Sequence, residues 1–379
     1  MARLASAQDQ QLGARAKSMG GSYTAFEDDP VSVWLNPSGI ATQTDQLAVA
    51  YQTYTAYPRG QTRGPADTIN FSVKAATILG DPALLPSYIG FVFQLGDSLA
   101  VGACYARPYL LDYAMDQVKD PNQTQFSPSS EVQEDLSRFR VAGAKDFRIR
   151  DANDPGFFTH FSIGLGLDLG YERWHFTGLG QDTTNSAAAP GFGAGALLGL
   201  YDDYGSFKVN FGIAYTSSIR YDFKISPDIL PAFDMPQQVN AGFTFYLLEG
   251  TPLRATVDGQ WIQWKTTAQR PLFDTFRGFR DAYNVSMGVE YRIKLTDRVS
   301  LYPRMGYRRF EAPWNDPSNL PMTGPFRLVL DTKASTFNIV TYGLGVSWSS
   351  DVGKLRSLEI GGDAGGDAPN FAIGINFEF

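Results

Sequence analysis

His160 and Ser162 stand two residues apart in an alternating stretch, so on a strand both side chains would share one face. A hydroxyl beside an imidazole is the start of a hydrolytic site, such as an outer-membrane phospholipase would carry. That chemistry needs nucleophile, base and orienting group within hydrogen-bond reach, and no Gly-x-Ser-x-Gly elbow accompanies the pair. The other histidine is His175 and the single cysteine is Cys104. A disulfide within the chain and a thiolate metal cage are therefore excluded, and no ligand spacing suggests zinc. Cys104 reads as inert packing. Asp28-Asp29-Pro30 could hold a cation or pair with arginines, the salt-bridged turn being the plainer reading. Neither catalysis nor a cofactor is expected.

The elements around these residues are strands. In the last nine residues Phe371, Ile373, Ile375, Phe377 and Phe379 alternate with Ala372, Gly374, Asn376 and Glu378. Val285, Met287, Val289, Tyr291 and Ile293 alternate with Ser286, Gly288, Glu290, Arg292 and Lys294. The same period of two runs through 238–247 and 161–170. One face of each run is apolar, and the other is rich in Gly, Ser, Asn and Asp. Glycine weakens a strand of a soluble sandwich, but small polar residues suit a crowded lumen. Aromatics recur at run ends (Tyr51, Tyr105, Tyr215, Trp261, Trp264, Tyr291, Tyr307, Tyr342, Trp348), as interfacial girdles would require. On this basis His160 is a lumen or girdle residue.

These runs predict an all-β fold, a transmembrane antiparallel barrel of about fourteen strands. The strands are expected near 47–57, 68–77, 88–95, 98–107, 136–149, 158–174, 193–201, 206–224, 237–248, 253–265, 283–294, 298–310, 336–349 and 369–379. Gly96-Asp97 and Leu295 to Arg298 read as tight turns, whereas 108–135, 176–192, 265–282 and 310–335 read as long loops. Short turns at one end and long loops at the other are the outer-membrane pattern.

Composition agrees. No apolar run reaches the length of a membrane helix. The net charge of −7, with no dense Lys/Arg cluster, makes nucleic acid an unexpected partner. Ala5-Ser6-Ala7 has the form of a signal-peptidase site without the charged and apolar parts of a signal peptide. An export signal mostly absent from this numbering and a polar disordered start are both open readings.

Residues 12–42 do not alternate. They contain Met19-Gly20-Gly21, the pair Asp28-Asp29 and the turn signal Asn36-Pro37-Ser38-Gly39. Such a stretch before the first strand could fold into the lumen as a plug, dividing the chain into a plug over 1–45 and a barrel over 46–379. With Gly13-Ala14-Arg15-Ala16, these motifs resemble the FadL family of outer-membrane transporters for hydrophobic compounds and its PorV branch. Ser38 stands where that family usually has Ala. Met235-Pro236, Asn240-Ala241-Gly242, Trp261 to Trp264 and Asn284 to Tyr291 resemble later parts of FadL-like barrels, and Phe379 their C-terminal assembly signal.

The resemblance implies an N-terminal hatch, capture of hydrophobic ligands at the extracellular mouth, and sideways exit through a wall defect into lipid. The expected neighbours are outer-membrane lipid or lipopolysaccharide. Candidate ligand-contacting residues are Tyr109, Leu110 and Tyr113, which a short helix would place on one face, together with Phe26. Three roles remain open at this point. One is a FadL-like channel for fatty-acid-like or aromatic molecules. A second is a PorV-like partner or shuttle in type 9-like protein secretion or surface assembly, and the third is a purely structural barrel.

Overall fold

The computed structural model describes residues 2–3, 12–26, 28–52, 57–58, 61–63, 68–73, 86–115, 118–119, 126–127, 130–150, 155–178, 181–203, 206–222, 234–247, 252–266, 280–311, 336–349, 355–364 and 371–379. Fourteen strands close into an antiparallel barrel. They are β1 (Gln46–Gln52), β2 (Tyr88–Gly96), β3 (Leu99–Met115), β4 (Ser130–Arg148), β5 (Gly156–Gly178), β6 (Gln181–Asp202) and β7 (Phe207–Thr216). The second half comprises β8 (Gln238–Leu247), β9 (Leu253–Ile262), β10 (Ala282–Tyr291), β11 (Val299–Glu311), β12 (Thr336–Ser349), β13 (Leu355–Ala364) and β14 (Phe371–Glu378). β14 closes on β1 from Gln46↔Glu378 to Gln52↔Ala372. The ladder then has no free edge, which is the condition for strands to lie in lipid.

Side chains sort by alternation, and the sorting is inverted relative to a protein folded in water. Along β10, Ala282, Asn284, Ser286 and Glu290 are buried, while Tyr283, Val285, Met287, Val289 and Tyr291 face outward. Leu165 and Leu167 on β5 are 68% and 76% exposed, whereas Arg140, Glu290 and Arg304 lie inside. Hydrocarbon as outer solvent accounts for this: outward apolar groups cost nothing there, and charges must turn to the lumen and pair.

The two ends of the wall differ as expected. Strands are joined at one end across 97–98, 149–155, 203–206 and 295–298, and at the other across 53–87, 217–237, 263–281 and 312–335. Four expectations need correction. The piece Thr68–Val73 is a short strand against the top of β3, at Phe71↔Met115 to Val73↔Tyr113, and not a full wall strand. Its place in the count is taken by β13, whose outward face offers little beyond Leu358 and Ile360 to signal alternation. Much of 108–135 and 176–192 is strand: β3 and β4 pair up to Ser130↔Met115, and β5 and β6 up to Gly178↔Gln181. Trp264 lies in a 3₁₀ turn and is buried, so it is no girdle residue.

Candidate functional site

Residues 12–43 fold inside the barrel. They form α1 (Ala14–Ser18), α2 (Ser32–Leu35) and a 3₁₀ turn, Pro37–Ile40. Gly20 and Gly21 both take positive φ (71° and 83°), a reversal that side-chain-bearing residues resist. The turn motif is self-bracing. Asn36 Oδ1 accepts from Ser38 N–H (3.2 Å) and Ser38 Oγ (2.7 Å), while its Nδ2 donates to Thr24 O at 2.6 Å. Leu12, Met19, Tyr23, Phe26, Val33 and Ile40 form the plug's apolar centre. The wall makes room with glycines: a Cβ on Gly164 would collide with the Pro37–Ser38 backbone, and one on Gly361 with Ala14.

Charge fixes the plug to the wall. Arg15 on α1 bonds Asp28 (3.1 Å) and Glu290 of β10 (2.9 Å). Arg304 bonds Glu290 at 2.6 Å and also pairs with Glu359 of β13. Arg254 pairs with Asp28 and reaches Glu290 at 3.3 Å. Each guanidinium thus meets a carboxylate, which offsets the cost of burying charge. Burial alone would raise the Asp28 carboxyl, but Arg15 and Arg254 outweigh it and hold it below its ordinary value. Burial raises the neighbouring Asp29 carboxyl, only partly opposed by Arg15 and the Val31 N–H. Across the lumen, Arg140 binds Asp168 through two bonds (2.6 and 2.9 Å) and donates to Trp34 O at 2.7 Å. Arg138 and Arg140 both lie over the Trp34 ring, at 5.6 and 5.4 Å.

On the long-loop side of the plug is a cavity of about 40 Å³. Its floor is Gly21, Tyr23, Thr24 and Leu35, and its wall includes Asn240, Asp258, Gln260, Asn284, Ser286 and Arg308. Asp258 Oδ2 accepts from Tyr23 N–H (2.7 Å), Thr24 N–H (2.8 Å) and Thr24 Oγ (2.7 Å), so one lumen carboxylate holds a turn of the plug. Asn284 Nδ2 donates to Gln260 Oε1 at 2.7 Å, one rung of an amide ladder across β9 and β10. Further towards the long loops the same lumen face turns apolar at Ile262, Ala282 and Phe310, all buried, with Ile219, Tyr221 and Met235 also buried.

The wall has an irregularity at β3. Pairing with β4 runs through Arg138↔Ala106 and resumes at Leu136↔Tyr109, so Arg107 and Pro108 together oppose Ser137. On its other side β3 pairs with β2 as far as Tyr88↔Ala106, and Arg107 N–H reaches Ser87 O. Among the described residues that side pairs next at Tyr113. The Arg107 guanidinium is buried at this point and bonds Asp135 at 2.8 Å.

The structure brings the whole plug motif together: Met19, Gly20, Gly21, Asp28, Asp29, Asn36, Pro37, Ser38 and Gly39 all lie in the lumen segment. Phe26 is enclosed in the plug, stacked on Tyr23 at 4.2 Å and beneath Arg15, away from the cavity. Tyr109, Leu110 and Tyr113 are strand residues opposite Leu136, Asp135 and Val132, not a helix; the ladder satisfies backbone groups that a local helix would have had to bond internally. Phe379 N–H bonds Asp45 O and its ring meets Phe93 at 5.7 Å, at the seam where the barrel closes. Ser162 donates to Asp146 Oδ1 at 2.6 Å, the same oxygen that holds His160 Nδ1 at 3.0 Å, so the hydroxyl is directed at the carboxylate. Cys104 is buried. The Ala5-Ser6-Ala7 stretch lies outside the described residues. Asp258 and Gln260 were not singled out by sequence, and Asn240 and Glu290 were named only as members of a family-like stretch and an alternating run, though polar and ionisable residues on the lumen face of membrane strands are a usable signal.

No protein-family model matches the chain, and no curated protein matches it in sequence. Solved structures do match. The crystal structure of a Pseudomonas aeruginosa FadL homologue superimposes with a TM-score of 0.59 at 14% identity, covering 97% of this chain and 98% of that one. The Ralstonia pickettii toluene transporter TbuX gives 0.60 at 12% identity, covering 98% and 99%. The Pseudomonas putida toluene transporter TodX gives 0.55 at 14%, again covering 98% and 99%. The chain has the FadL-type fold. At such identities the FadL-type likeness concerns architecture, and the residues of lumen and plug must be argued from their own contacts.

Proposed function

We propose that this protein is an outer-membrane channel that admits small hydrophobic molecules from the long-loop side and releases them sideways into the bilayer. The observation that carries this is the coincidence of an N-terminal segment ion-paired inside the lumen with a wall bulged at Arg107–Pro108, where β3, on its β2 side and among the described residues, pairs beyond Ala106 next at Tyr113. An axial route would require the plug's charges to separate, whereas lateral release keeps an apolar solute out of water throughout. The outward apolar face supports placement in a membrane. The FadL-type neighbours are described as transporters or channels for toluene and monoaromatic hydrocarbons, which supports small-molecule traffic over a protein-secretion role. The test is uptake of isotope-labelled toluene and of glycerol by cells that export the barrel, against cells that do not. Faster toluene uptake with unchanged glycerol uptake is expected. Equal acceleration of both solutes, or of neither, would refute the proposal.

A further inference from the structure

We infer that the part of β6 nearest the long loops is a docking edge for an extended polypeptide strand that carries an acidic side chain and, four residues later, a basic one. This is independent of the channel reading. β6 pairs with β5 up to Gly178↔Gln181, but with β7 only as far as Gly193↔Thr216. Beyond Thr216 the chain leaves the wall and turns into the lumen. Ile219 and Tyr221 lie where a Cβ on Gly170 would stand, and Ile219 and Ser217 where one on Gly191 would. Among the described residues no strand takes the place that β7 vacates beside 181–191.

The last bonds before this gap give the direction of the backbone groups. Phe192 O accepts from Ser217 N–H and Phe192 N–H donates to Ser217 Oγ, both at 2.9 Å, so Phe192 faces the β7 side. Alternation turns Pro190, Ala188, Ser186 and Thr184 the same way. Pro190 has no N–H, and an open edge is where a strand tolerates proline. Ala188, Ser186 and Thr184 each present an N–H and a C=O to the open side. On the outward face of β5, Leu165, Leu167, Leu169 and Tyr171 give way to Arg173, His175 and Thr177, so this row stands at and above the upper limit of the hydrocarbon belt. Such a row is a template for an added strand.

Charge determines what that strand must carry. Ser186 is paired with Arg173 of β5, whose side chain is exposed. Asp135, across from Arg173 on β4, is engaged at both oxygens by Arg107, at 2.9 and 2.8 Å. An added strand would lie two strand spacings from β5, about 9.6 Å, which a glutamate and an arginine together span over a serine. Asp182, on the same face as Ser186 and nearer the tip, is exposed, with His175 Nε2 at 3.7 Å. An antiparallel strand with glutamate opposite Ser186 places its residue four positions later opposite Asp182, where lysine fits. A second copy in the same membrane fits poorly. A twofold axis along the membrane normal would cross strands tilted by about 40° at roughly 80°, too steep for a ladder.

The experiment titrates the barrel in phosphatidylcholine nanodiscs with a capped, fluorescent ten-residue peptide of alternating valine and threonine, with glutamate at its fourth position and lysine at its eighth, read by anisotropy. Saturable binding is expected. Exchanging the peptide's glutamate and lysine should weaken it about tenfold, and Arg173→Gln about threefold, in keeping with exposed ion pairs. Ser186→Pro should abolish binding with little change in melting temperature, because the Ser186 N–H faces away from β5. In the wild type, amide exchange at Thr184, Ser186 and Ala188 should slow when the peptide is bound. No binding by the wild type, binding that survives in a folded Ser186→Pro barrel, unchanged exchange at those amides, or equal affinity for the exchanged peptide would overturn the inference. So would self-association of the barrel that Ser186→Pro removes, which would give the edge to a second copy.

Discussion

Two of the polar regions where the plug touches the wall solve burial differently. Towards the short-turn end, Arg15, Arg254 and Arg304 are interleaved with Asp28, Glu290 and Glu359, and every charge has a counter-charge within bonding reach. Towards the long loops, Asn240 and Asp258 each keep one buried acceptor without a hydrogen-bond partner among the described residues. A region whose groups are all mutually satisfied holds structure together. A region that leaves buried acceptors unmet forgoes stability. The same segment of chain is thus held by complete ion pairing below and by a less fully satisfied polar contact above.

The sharpest way to break this contrast is Glu290→Ala. It would leave Arg15, Arg254 and Arg304 sharing too few carboxylates, and loss of one partner from a buried ionic network costs about 3–5 kcal/mol. Planar-bilayer recordings should then show larger ion conductance than the wild-type barrel. A variant no more conductive than wild type would mean that the ion pairs do not hold the plug. Gly164→Leu should act in the same direction, because its side chain must displace the Pro37–Ser38 backbone. A smaller and conditional effect is expected from pH. Because the Asp28 carboxyl sits below its ordinary value in the fold, its contribution is complete above the usual carboxylate pKa and fades as pH falls through the lowered folded value. Asp29, shifted the other way, works against it. The clean readout is therefore the wild-type minus Asp28→Asn difference in plug protection from protease. That difference should shrink below about pH 4 and stay flat from neutral to mildly alkaline pH. The smallest expected change in stability is for Asn240→Leu, whose lost acceptor oxygen had no hydrogen-bond partner among the described residues. Its melting temperature should stay within a few degrees of wild type, and a large drop would make the upper region as structural as the lower.

Much of the architecture was legible in the chain. A period of two over Val285–Lys294 or Phe371–Phe379 needs no partner to be read, and glycine and proline punctuate 12–42 as a non-strand segment. Legibility failed where alternation was diluted or imitated. β13 was missed because Arg356, Glu359, Gly361-Gly362 and Asp363 crowd its ten residues with charge and small side chains. Tyr109 to Ala114 imitated an amphipathic helix, yet β4 supplied a ladder that no local signal announced. The count of strands came out right because one expected strand was lost and another gained.

The candidate site was less legible than the fold. Its plug half, Met19 to Gly39, carried a motif, whereas its wall half is single residues scattered over strands with nothing local to mark them. Asp258 meets Tyr23 and Thr24 from 235 and 234 residues away, and Arg15 meets Glu290 from 275. By itself the sequence determined which residues of each strand share a face and that the N-terminal segment would not be a strand, since both follow from backbone geometry and neighbouring residues. Only the tertiary structure decided which lumen carboxylate faces which plug amide, and which acceptors stay unmet. Those pairings depend on barrel closure, strand register and the depth of the plug, which are properties of distant segments brought together.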